Sequence, residues 1–196
     1  VAEVAALVAA LASGAVVHTD AVAAAAWTHL PDAVGAAHLV SLSAHKVGGP
    51  PGTGALVVRD GTPLAPVLRG GGQERERRSG TPDVVGAVGF AAALAATVAD
   101  LDRTVERVEG LRRRLVAGIL ASVPGAVVLG PPDPSDRTPG TVLGCFEGAD
   151  REALVFLLDE AGIGASWGSS CASGAAEPSP VLAAMGVAPE VASGAL

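Results

Sequence analysis

Residues 41–58 confine what this chain can fold into. They read Ser-Leu-Ser-Ala-His-Lys-Val-Gly-Gly-Pro-Pro-Gly-Thr-Gly-Ala-Leu-Val-Val. An apolar run from His38 to Leu42 leads in, and a second from Ala55 to Val58 leads out. Glycine and proline crowd the middle, so the pattern is strand, tight loop, strand. Lys46 stands at the first bend. Of the 13 lysines and arginines it is the single lysine, and the other twelve are arginines. A guanidinium stays charged at any ordinary pH and cannot serve as a nucleophilic amine. A lone lysine among arginines therefore has two readings. It is a surface residue in a composition that favours arginine, or it marks chemistry that needs a primary amine, such as Schiff-base formation with a carbonyl. Ser41, Ser43 and His45 add donors suited to a phosphate. Gly48, Gly49, Gly52 and Gly54 let backbone approach a ligand closely.

The rest of the chain alternates strand and helix patterns, which predicts an α/β fold. Val1, Val4, Val8 and Leu11 share one face of a helix that Gly14 can end. Ala15 to His18 reads as a short strand running into polar Thr19 and Asp20. Ala21 to Trp27 reads as helix, with Pro31 closing the turn region. A polar, glycine-rich, charged loop spans Arg69 to Gly80. Helical spacing then runs unbroken from Val84 through Leu101 to Ile119, long enough to cross a domain boundary, which is placed near Asp102. The chain thus divides into residues 1–102 and 103–196. Ala126 to Leu129, Thr141 to Phe146 and Ile163 to Trp167 read as strands, and Asp150 to Ala161 as helix. Ser179 caps a last helix with Pro180 at its first position.

Charge and composition exclude several classes. A net charge of −7 argues against a nucleic-acid binder. No apolar stretch is long enough to span a bilayer. The apolar first residues are like a signal-peptide core, but they lack a basic leader and Glu3 interrupts them. The first residue is not Met, so the chain looks clipped or processed. The two cysteines make no disulfide framework and no Cys-x-x-Cys metal pairing. They suit a reducing compartment, hence a cytoplasmic location. Cys145 lies in an apolar run and reads as inert core. Cys171 lies in Trp167-Gly-Ser-Ser-Cys-Ala-Ser-Gly174, a run of small polar residues in which a thiol is accessible. An ordinary thiol needs only a modest shift from about 8.5 to supply thiolate near neutral pH. All four histidines fall within the first 45 residues without a triad signature, so a cysteine-protease arrangement is disfavoured.

Four segments in order resemble those of the cysteine desulfurases, fold-type I class V pyridoxal-phosphate enzymes. They are Val17-His-Thr-Asp-Ala21, the Ser41 to Leu56 stretch, Gly70-Gly-Gly-Gln-Glu-Arg75 through Arg78-Ser-Gly-Thr81, and Ser169-Ser-Cys-Ala-Ser173 with Glu177-Pro-Ser179. The resemblance runs almost end to end. It implies part of a large three-layer α/β/α domain in residues 1–102, followed by most of a small C-terminal α/β domain carrying the cysteine loop. It implies pyridoxal phosphate held by Lys46, Ser43 and His45, with Asp20 on the pyridine nitrogen. From spacing alone Asp20 reads as a helix N-cap before the alanines that follow. It further implies a homodimer in which Thr81 touches the partner subunit's cofactor phosphate.

The implied reaction takes L-cysteine to L-alanine. Lys46 moves the α-proton and Cys171 receives the sulfur as a persulfide, which passes to an acceptor such as an iron–sulfur scaffold or a tRNA-thiolation pathway. Three positions depart from the family: Ala23 where Gln contacts the cofactor's phenolic oxygen, Arg69 where His precedes the glycines, and Glu76 where Gly follows Glu-Arg. The family chain is about twice as long. The resemblance therefore implies that this polypeptide lacks the first half of the large domain and a carboxylate-gripping Arg beyond Leu196, binds cofactor weakly and turns over little or nothing. The rival readings are another class V enzyme, such as a selenocysteine lyase, and an inactive relative that only binds a partner.

Overall fold

The two apolar runs that flank Lys46 pair with each other. In the computed structural model, which describes residues 1–12, 14–167 and 179–196, β2 (Leu39–Ser43) and β3 (Gly54–Val58) run antiparallel, with Leu39 facing Val58 and Ser43 facing Gly54. On the other side of β2 lies β1 (His18–Asp20), parallel to it, with Asp20 in register with Ser41. Side chains alternate across a sheet. His18, Asp20, Ser41 and Ser43 therefore share one face, and Val40 and Leu42 point to the other. There Val40 is buried with Ala21 and Ala37, and Leu42 packs against this cluster.

Strand β1 starts at His18 rather than Ala15 because the Val17 N–H donates to His38 Nδ1 (3.0 Å). That side-chain bond stands where a ladder bond would otherwise continue the strand. Helix α1 (Ala2–Leu11) precedes it and buries none of its residues. The helix expected from Ala21 to Trp27 is only a 3-10 turn at Ala24–Ala26. A short α2 (Leu30–Val34) follows, with Pro31 in its first turn. Proline lacks the N–H that a first turn leaves unsatisfied anyway, so Pro31 opens a helix here instead of closing a turn.

The long helical run is two helices, α3 (Val84–Ala99) and α4 (Leu101–Ser122). Asp100 breaks it. Its N–H returns to Ala96 O and Thr97 O, and its carboxylate accepts from Arg103 Nε (2.6 Å) and Thr104 Oγ1 (3.1 Å). The carboxylate thus holds the first turn of α4 through side chains, at a break that apolar spacing does not reveal.

By internal contacts the chain divides into Val1–Val105 and Glu106–Leu196. In the second unit β4 (Ala126–Leu129) pairs antiparallel with β5 (Leu143–Phe146). The far edge of β5 is taken by the C-terminal residues, through a bridge from Cys145 to Ala195. Cys145 is fully buried and packs with Leu182, Ala192 and Ala195. Asp150 caps α5 (Arg151–Glu160) through the Ala153 N–H (2.9 Å). Ser179 caps α6 (Pro180–Ala184), and α7 (Pro189–Ala192) closes the chain. The Pro-rich link is tied down by Arg137, which donates to Pro131 O, Pro132 O and Glu109 Oε1. The strand expected at residues 163–167 is irregular chain, and Ile163 and Trp167 are exposed, so no apolar face is buried there to define a strand. Among the described residues no single helix is long and apolar enough to cross a membrane.

Candidate active site

The end of β2 turns directly into a 3-10 turn, Ala44–Val47. Two buried side chains anchor that turn. Ala44 and Val47 pack with Ala25 and with Phe90 of α3. With the apolar residues turned inward, His45 and Lys46 are exposed on the opposite side. Gly48 ends the turn in the left-handed region at φ 79°, and the Gly49 N–H closes it onto Ala44 O (2.8 Å). Gly49 packs tightly here: a Cβ would stand 3.0 Å from Ala44 Cβ and 3.3 Å from Ala93 Cβ, so its neighbours would have to give way. The glycines after Lys46 thus serve a tight fold-back against α3, beyond any role in ligand approach. The Val47 carbonyl also accepts from Thr97 Oγ1 of α3 (3.3 Å).

The polar face beside this turn is internally bonded. Ser43 Oγ lies 2.8 Å from His45 Nδ1. His18 Nε2 lies 2.8 Å from Ser41 Oγ, a pairing between β1 and β2 that sequence reading missed. Periodicity within each strand does not set the register between them, so the sequence carried no signal for this pairing. Asp20 accepts the Val22 N–H on Oδ1 (2.9 Å). The following 3-10 turn has Ala23, not Asp20, at its N-cap, so Asp20 does not cap a helix. Among the described residues no other hydrogen bond reaches the Asp20 carboxylate, and its second oxygen is open. The ends of the two parallel strands therefore bring Asp20, Ser43, His45 and Lys46 to one edge of the sheet. Ligands of open α/β sheets bind at such carboxyl ends.

Thr81 is exposed on the link before α3 and, among the described residues, makes no hydrogen bond to the Lys46 turn. The loop leading to it is closed by the Ser79 N–H on Leu68 O (3.1 Å), Ser79 Oγ on Gly71 O (2.8 Å) and the Gly80 N–H on Gln73 Oε1 (3.3 Å). Within it Glu74, Arg75 and Glu76 are all left-handed, at φ 51°, 55° and 64°. Arg69 and Glu76 line a cleft of about 520 Å³ with Arg75, Arg77 and Thr62. None of Asp20, Ser43, His45 and Lys46 borders it. Cys171 lies outside the described residues. Burial pushes the Cys145 thiol above its ordinary pKa, away from nucleophilic use. No group of three or more His, Cys, Asp or Glu gathers into a metal-binding cluster among the described residues.

The mixed α/β chain matches part of the fold of a fold-type I pyridoxal-phosphate enzyme. The chain belongs to the aminotransferase class-V family, whose profile matches residues 1–191. It is 43% identical over 189 residues to an IscS-like cysteine desulfurase of Mycobacterium tuberculosis, covering 96% of this chain and 48% of that protein. It is 47% identical over 184 residues to a cysteine desulfurase of Cereibacter sphaeroides, covering 94% of this chain and 46% of the relative. A solved NifS-like protein matches 98% of this chain and 49% of its own, with a TM-score of 0.83 and 34% identity. The chain thus spans about half the length of the curated relatives it matches.

Proposed function

We propose that the protein carrying this chain is a pyridoxal-phosphate-dependent cysteine desulfurase. The reading rests on one observation: the register of β1 and β2 sets Asp20 beside the segment that carries Ser43, His45 and Lys46. That donor set fits the cofactor: an amine for its aldehyde, an open carboxylate oxygen for its ring nitrogen, and a hydroxyl–imidazole pair for its phosphate. When bound, pyridoxal phosphate supplies the electron sink that lets an amino acid lose its α-proton. Lys46 would contribute the amine and would take and return that proton at Nζ. Asp20 keeps a negative charge beside the ring nitrogen. Ser43 and His45 orient the phosphate. Thr81 reaches the phosphate of a partner subunit in a homodimer.

The Cys171 thiolate attacks the sulfur of L-cysteine. A sulfur–sulfur bond forms and the carbon–sulfur bond breaks. Its electron pair stays with carbon, which takes a proton to become the methyl group of L-alanine, and the persulfide on Cys171 hands its outer sulfur to an acceptor protein. Residues 1–102 are then the C-terminal half of a large cofactor domain and 103–196 the small domain carrying the cysteine loop. Reactive thiol chemistry of this kind suits the reducing cytoplasm.

Two measurements test the reading. Incubating the polypeptide with pyridoxal phosphate and reducing with borohydride should label Lys46, as read by peptide mass spectrometry, and Lys46→Ala should lose the label. Absence of a Lys46 label at saturating cofactor sinks the proposal. In the whole protein, Cys171→Ser should keep the label and abolish sulfide release from L-cysteine. Persistent release would assign the sulfur step elsewhere.

A further inference from the structure

We propose that His18 is a positioning residue that keeps the Ser41 hydroxyl off the Asp20 carboxylate, so that one oxygen of Asp20 stays open for the cofactor's ring nitrogen. The inference rests on the cofactor reading above. Asp20 and Ser41 are direct register partners on parallel strands. Neighbouring strands lie about 4.7–4.9 Å apart, which brings partners on one face within reach of a hydroxyl. Ser41 is therefore well placed to donate to Asp20. It does not: its Oγ lies 2.8 Å from His18 Nε2 instead. His18 lies two residues before Asp20 on the same face of β1, and its ring reaches diagonally to Ser41.

A serine hydroxyl has one proton to donate. If Ser41 spends it on His18 Nε2, none remains for Asp20. This requires neutral His18 with its own proton on Nδ1. The Val22 N–H already occupies Asp20 Oδ1. A second donor on Oδ2 would compete with the ring N–H of the cofactor for that oxygen and weaken it as an acceptor. His18 thus works by occupying Ser41. It also adds a side-chain tie to a parallel ladder of only three residue pairs.

The arrangement predicts an unusual pattern in a double-mutant cycle. In His18→Ala the Ser41 hydroxyl is released and turns to Asp20. Affinity for pyridoxal phosphate should fall by about tenfold, the scale of one hydrogen bond to a charged group. Ser41→Ala alone should change affinity less than about twofold, because no hydroxyl remains to intrude. The double variant His18→Ala, Ser41→Ala should recover to within about threefold of the parent. His18→Gln, whose amide can still hold Ser41, should also recover. A role limited to strand stability would instead make the losses add. Affinity is read by titration of bound-cofactor absorbance, with far-ultraviolet circular dichroism on each variant.

A second readout needs no cofactor. Nitrogen-15 NMR of the His18 ring should show Nε2 unprotonated. A protonated Nε2, or a double variant no better than His18→Ala, overturns the inference. If the parent binds and Lys46 is labelled while His18→Ala binds equally well, the positioning role fails and the cofactor reading stands. If Lys46 takes no label, both fail together.

Discussion

Thr53 Oγ1 donates to Asp83 Oδ2 at 3.3 Å, tying the loop that follows Lys46 to the N-terminus of α3. The same carboxylate caps α3, with Oδ1 accepting the Gly86 N–H at 2.9 Å. One side chain thus fixes the start of a helix and the loop beyond the lysine turn. Phe90 and Ala93, further along that helix, brace the turn itself.

Gly86 should tolerate no side chain. A Cβ there would overlap the Asp83 carboxylate and the Thr53 hydroxyl. In an ordinary helix interior Gly→Ala stabilises by about 0.5–1 kcal/mol. Here Gly86→Ala should instead destabilise by about 1–3 kcal/mol, the usual range for overpacking. Urea denaturation of the two proteins measures the difference, and a more stable variant would show that the capping contact is dispensable.

Glu76 should be improved by glycine. It stands at φ 64°, where a Cβ costs about 1–2 kcal/mol. Glu76→Gly should gain roughly 0.5–1 kcal/mol, less than the relieved strain because glycine also frees the unfolded chain. A lower denaturation midpoint would contradict a left-handed turn at this position.

Ser43 and His45 should act as one unit toward the phosphate. Because Ser43 Oγ and His45 Nδ1 are bonded at 2.8 Å, removing either disorders the other. Ser43→Ala and His45→Ala should each weaken pyridoxal-phosphate binding by about 1–2 kcal/mol, and the pair together should lose less than the sum. Strictly additive losses would mean that the two residues contact the ligand independently or not at all.

Cys145 should make stability fall at alkaline pH. Burial raises its thiol above the ordinary value in the folded chain. Below about pH 8.5 the thiol is neutral in both states and the contribution is complete. Above that value the unfolded chain loses its proton while the folded chain keeps it, so stability declines until the folded thiol also titrates. Cys145→Ala should remove this slope above about pH 8.5, at the expense of a small cavity. An unchanged slope would assign the alkaline loss to other groups.

The order and spacing of local signals on this chain were legible before any fold was known. Lys46 stood out because it alone among the cations is a primary amine. Ser179 announced a helix start, since a cap needs only its own next three residues. The β2–turn–β3 hairpin was written in the run from His38 to Val58. What the tertiary structure decided depends on groups far apart in sequence. His18 meets Ser41 across 23 positions, and Thr53 meets Asp83 across 30. The break at Asp100 hides under continuous apolar spacing, because periodicity records which face is buried and not where a carboxylate gathers the side chains of Arg103 and Thr104. The apolar run at residues 163–167 looked like a strand, but strand formation needs a pairing edge and a face to bury, and neither is a property of the run itself. Local propensity is set by a residue and its immediate neighbours, whereas register, pairing and the choice of hydrogen-bond partner are set by whichever distant segment packing brings alongside.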